Sequence, residues 1–162
     1  MRKIFVTVLA LACATMVISC GNKGVTVTKG NTAKFDSLSY CLGANIGAGV
    51  KEQMNDIPFN VVVVTKGMQD GLTNKAKQTQ EEAVEILREF FSTTLGERRE
   101  AIAAQKADST STAAPIAIFD TEEECETISY AFGNDIGHNV LASKFPIQYY
   151  WLLKGFKDAY EG

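Results

Sequence analysis

The sequence predicts an all-α protein of two tandem helical repeats, two to three helices each, with one long helix between them. Three observations predict it. A short motif occurs twice, apolar residues return every four positions in both occurrences, and a long amphipathic stretch separates them. Ser39-Tyr40-Cys41-Leu42-Gly43-Ala44-Asn45-Ile46-Gly47 is echoed by Ser129-Tyr130-Ala131-Phe132-Gly133-Asn134-Asp135-Ile136-Gly137, at an offset of 90 residues. The offset falls to 88 further on, where Pro58 meets Pro146, Lys66-Gly67 meets Lys154-Gly155, and Asp70 meets Asp158. These recurrences divide the mature chain into a first repeat over 36–106, a linker over 107–119 and a second, incomplete repeat over 120–162.

Each repeat opens on a helix. Leu38, Leu42, Ile46 and Val50 form one stripe in the first copy, and Ile128, Phe132, Ile136 and Val140 form it in the second. Asp120, followed three residues on by Glu123, offers a capping box for the second of these helices. Gly43 and Gly47 lie one turn apart, as do Gly133 and Gly137. Each glycine costs a helix about 1 kcal/mol relative to alanine, so paired glycines on one face point to close approach by another helix. Val61-Val62-Val63-Val64 has strand propensity. Its counterpart in the second copy places Tyr149, Leu152, Phe156 and Tyr160 at helical spacing, which predicts a helix in both, each entered through a proline. The first copy then continues into a third helix. Thr79 with Glu82 makes its capping box, and Val84, Leu87, Phe91 and Leu95 its stripe, widened by Ile86 and Phe90. The helical pattern runs to Lys106, with a polar far end expected to project into solvent.

The N-terminus reads as an export signal over residues 1–19. Arg2 and Lys3 precede an apolar run of about 15 residues, too short to span a bilayer comfortably. Val17-Ile18-Ser19-Cys20-Gly21 then places a small residue before a cysteine, as lipoprotein processing requires. The expected product begins at a lipidated Cys20 and is anchored to a membrane. Ordinary secretion and a retained anchor are the alternatives. Residues 20–35 read as a flexible tether. Loss of Arg2 and Lys3 takes the net charge from −3 to −5, and no basic patch with interleaved aromatics suggests nucleic acid. Cys41 and Cys125 read as unpaired thiols, with a disulfide as the alternative that an oxidising compartment permits. His138 reads as a surface histidine, and neither a metal site nor a cofactor is expected. The glutamates at 81, 82 and 85, and those at 122–124 and 126, read as first-turn acids favoured by the helix dipole, not as catalytic groups.

The motifs resemble the N-terminal, non-catalytic domain of periplasmic FKBP-type peptidyl-prolyl isomerases of the macrophage infectivity potentiator type. That domain has a Tyr-x-x-Gly-x-x-x-Gly helix, here Tyr40, Gly43 and Gly47, and again Tyr130, Gly133 and Gly137. A Gly-x-x-Asp helix follows, here Gly67 with Asp70 and Gly155 with Asp158. The resemblance implies helix packing and dimerisation through these ten residues, and chaperone-like binding of unfolded clients. It implies no catalytic residue here, because isomerase chemistry belongs to a separate domain for which the chain, ending at Gly162, leaves no room. The expected protein is a periplasm-facing helical lipoprotein, a homodimer or an intrachain pseudo-dimer, without isomerase activity of its own. An accessory subunit or truncated remnant of such an isomerase, and a purely structural lipoprotein, are the other readings. Tyr150 and Trp151 are the candidate client contacts, although half of the aromatic run at 149–151 lies on the core stripe.

Overall fold

In the computed structural model, residues 35–108, 110 and 112–162 are described, and they are helical throughout apart from turns and connections. The export signal and the tether lie outside the described residues. Among the described residues six α-helices follow one another: α1 Asp36–Gln53, α2 Val61–Leu72, α3 Gln80–Glu89, α4 Leu95–Ala107, α5 Glu122–Ala142 and α6 Tyr149–Glu161. A π-helical turn, Phe90–Thr94, joins α3 directly to α4. The valine run is helical, as its second copy required. Asn60 caps it by accepting from the backbone N–H groups of Val62 and Val63.

The two copies pair crosswise. The main partner of α1 is α6, and the main partner of α2 is α5, so the first helix of each copy lies against the second helix of the other. The connections explain how. Pro58 and Pro146 each bias the residue before them away from helix. The chain then runs without helix through 58–60 and 145–148 into α2 and α6. The Ser129 hydroxyl accepts the backbone N–H of Asn60 at 3.0 Å, and the Ser39 hydroxyl accepts that of Gln148 at 2.8 Å. Each copy therefore anchors the start of the other's second helix.

Three local expectations shift by a residue. Thr121 caps α5 in place of Asp120, accepting from the Glu124 N–H, while the Asp120 N–H is taken by the Glu124 carboxylate. On α1 the buried line is Ser39, Gly43, Gly47 and Val50, while Leu38 is 53% exposed. The backbone of α6 comes so close that small residues, not large ones, occupy the contact. On the third helix Ala83, Leu87, Phe90 and Leu95 are buried and Val84 is exposed. The π turn explains the last step: Leu95 N–H bonds to the Phe90 carbonyl, five residues back, which sets both side chains on the core face.

The far end of the third helix is tied down. Arg99 pairs with Asp56 at 2.7 Å, and Arg98 pairs with Asp120. The segment after α4 returns along it, with the Gln105 side chain bonded to Ala114 O and Ile116 N, both at 2.8 Å. Ile118 and Phe119 then enter the core, where Phe119 packs on Phe90 and Phe59, and Phe59 stacks on Phe132 with centroids 4.8 Å apart.

Candidate functional site

The crossed interface gathers the ten motif residues into two matched sets. A Cβ built on Gly43 would sit 1.9 Å from the Leu152 carbonyl oxygen, and one on Gly133 would sit 2.0 Å from that of Val64. One turn on, Gly47 faces Phe156 O at 2.3 Å, and Gly137 faces Met68 O at 2.4 Å. The second helices reciprocate: Gly67 faces Tyr130 O at 2.3 Å, and Gly155 faces Tyr40 O at 2.1 Å. In all six cases the obstacle is backbone, which cannot swing aside. Glycine here removes the side chain that would hold two helices apart.

Each set closes with a polar clasp. The Tyr40 hydroxyl donates to the Asp158 carboxylate, and the Tyr130 hydroxyl donates to that of Asp70, both at 3.0 Å. Lys154 holds Asp158 at 2.6 Å, and Lys66 holds Asp70 with the same i,i+4 spacing. The two clasps differ in burial. Asp70 is almost enclosed, and Tyr130 also accepts the Lys77 N–H at 3.0 Å. Asp158 is more open; the Lys154 ammonium and then the Tyr40 hydroxyl hold its carboxyl below the ordinary carboxylate range. The Tyr40 phenol moves up, chiefly through its bond to Asp158. Tyr130 moves up chiefly because it is buried.

Sequence reasoning passed over the serine–backbone bonds of Ser39 and Ser129, although both serines belong to the repeated motif. It also passed over Asn134, which is fully buried and donates to the Gln78 carbonyl at 3.1 Å. Its counterpart is Ala44, so the repeat itself hid it.

The aromatic candidates separate. Tyr150 is 68% exposed, whereas Trp151 is half-buried, edge-on to Tyr40 at 6.5 Å and to Tyr150 at 5.2 Å. Phe156 is buried and stacks on Tyr160. Thus α6 has a closed side against α1 and an aromatic side toward solvent.

The two cysteines among the described residues are free, Cys41 exposed and Cys125 half-buried, its Sγ 3.5 Å from Pro58 O. His138 is half-buried, with Nδ1 3.1 Å from Asn134 O. It borders a shallow recess of about 300 Å³ with Asn74, Lys77, Gln78 and Glu82. No cluster of three potential metal ligands occurs among the described residues, and none of their helices is long and apolar enough to cross a membrane.

Residues 35–114 match the family described as the domain amino terminal to FKBP-type peptidyl-prolyl isomerase. That stretch is therefore an FKBP_N-type helical domain, the non-catalytic region of such proteins and not their isomerase domain. The chain is also similar to the outer membrane protein MIP of Legionella longbeachae, at 31% identity over 99 residues. The alignment takes in 60% of this chain but only 39% of that protein. No solved structure matches.

Proposed function

We propose that this chain, whose residues 35–114 are an FKBP_N-type domain, is a membrane-anchored, periplasm-facing module that binds unfolded or partly folded proteins, without isomerase activity of its own. On this reading residues 120–162 are a second, shorter copy of the same unit, and the two copies form within one chain the pair that single-copy relatives form between two. The anchor is a lipid on Cys20, at the end of the apolar signal. The glycines, tyrosines and aspartates of the crossed interface hold the pair together, and Tyr150 with Trp151 meets clients.

One observation carries the binding role. The α1–α6 half keeps large apolar groups at its surface, among them Leu38, Phe145 and Tyr150. A holder of unfolded chains needs accessible apolar surface without a rigid fit, and neither nucleotide nor metal. The test is light scattering of a denatured enzyme diluted with and without the delipidated protein. Delayed aggregation at equimolar ratio, weakened by Trp151→Ala in a variant that still folds, is the expected result. No delay would move the protein to a purely structural role.

A further inference from the structure

We infer that the α1–α6 half presents a docking groove for one amphipathic helix of the α3–α4 pattern, supplied by a partner polypeptide. The molecule contains its own comparison. In the α2–α5 half the groove is filled: the Gln80 side chain bonds Asp135 and Asn139, Lys77 N–H reaches the Tyr130 hydroxyl, and Phe90 packs on Phe119. In that half Ile57 is 2% exposed and Ile128 6%, both within the buried core cluster. Their counterparts in the other copy are Phe145, 63% exposed, and Leu38, 53% exposed. The same positions of the same motif are core in the half that carries the long helix and surface in the half where no described helix covers them. Tyr40 stands where Tyr130 receives the chain leading into that helix, and Trp151 rests against Tyr40.

Charge distinguishes the occupant from a second copy of this chain. Arg99 fixes the covering helix by its ion pair with Asp56. The counterpart of Asp56 is Lys144. A helix seated in the open groove therefore needs a carboxylate in the register of Arg99, where this chain's own helix would set like charges together. The occupant is an amphipathic helix with an apolar stripe spaced as Ala83, Leu87, Phe90 and Leu95, and an acid at the Arg99 register.

This deepens the binding role proposed above and rests on it, but its test is separate. Trp151 is the sole tryptophan, so its emission reports on the groove. The full chain is titrated with two synthetic peptides of residues 77–107, one native and one carrying Arg99→Glu. The expected result is a saturable change with the Arg99→Glu peptide, at least tenfold tighter than with the native one. Phe145→Asp and Leu38→Asp should each weaken it tenfold or more. Both residues are exposed, so the variants should keep their helical spectrum. Val62→Asp, at an exposed apolar position of α2, should leave it unchanged. Lys144→Glu should invert the preference between the peptides. No saturable change with either peptide, or equal loss with Val62→Asp, overturns the inference. So does a homodimer in sedimentation that Leu38→Asp dissolves, since a second copy would then fill the groove. Delayed aggregation without peptide binding would sink the groove and leave the holding role standing.

Discussion

The Tyr40 hydroxyl lies 3.0 Å from the Asp158 carboxylate, joining residues 118 apart in sequence, and Tyr130 reaches Asp70 in the same way. The two bonds are equivalent in motif and unequal in setting. Removing a hydroxyl from a buried network leaves a polar partner unsatisfied, whereas an exposed partner turns to water. Tyr130→Phe takes from the nearly enclosed Asp70 one of its two partners, leaving Lys66, and removes the acceptor of the Lys77 N–H, and is expected to cost about 1–3 kcal/mol. Tyr40→Phe should cost about 1 kcal/mol or less. Urea denaturation of both variants checks the order, and a larger loss for Tyr40→Phe would contradict it.

The open clasp sets a pH dependence. The Asp158 carboxyl titrates below its ordinary range, mainly because Lys154 bonds to its charged form. A depressed carboxylate stabilises the fold above the unfolded pKa of about 3.9, and that stabilisation fades as pH falls through the lower folded value. Asp158→Asn should therefore be less stable than wild type at pH 6, and the gap should close only below about pH 4. A gap that closes on raising the pH from 6 to 8 would place its origin elsewhere.

The glycines divide into two classes with opposite expected signs. Gly43→Ala must displace the α6 backbone, because the new methyl would lie 1.9 Å from a carbonyl oxygen. A loss of more than about 2 kcal/mol is expected, as for overpacking without room to relax. Gly96 sits within α4 with nothing within 4 Å of its added Cβ. Gly96→Ala should stabilise by about 0.5–1 kcal/mol through helix propensity alone. Thermal melts of the pair decide, and equal shifts would deny the close packing.

Crosswise pairing predicts tolerance of a cut. The connection around Thr110 and Thr112 is exposed, while the two copies grip each other through α1–α6 and α2–α5. A protease site inserted between Thr110 and Thr112 should, after cleavage, leave both halves eluting together at native size. Separation of the halves without denaturant would mean that each copy folds on its own helices.

Lipidation is tested on the whole cell. Fatty-acid labelling should mark the wild-type chain and not Cys20→Ser. Label kept by the serine variant would refute acylation at this position.

Much of the fold was legible because it is local. The Thr79–Glu82 box caps α3 with the reciprocal bonds that its spacing announced. The helix at Val61 could be read against its own propensity, because Tyr149 to Tyr160 repeats it with clearer periodicity. The glycine pairs announced close approach, since a residue that weakens a helix must be compensated by contact. Tertiary structure decided which helix makes that contact. Both copies carry the same motif, so Gly43 facing its own second helix and Gly43 facing Leu152 are indistinguishable in sequence. The extended connections after α1 and α5, and the serine hydroxyls that capture the opposite copy, choose the second. Periodicity likewise fixes a buried face only to within a residue. Leu38 was placed in the core and lies at the surface, while Ser39 beside it is enclosed. A stripe records which residues dislike water, but the partner's backbone, arriving at van der Waals distance, determines which of them there is room to bury.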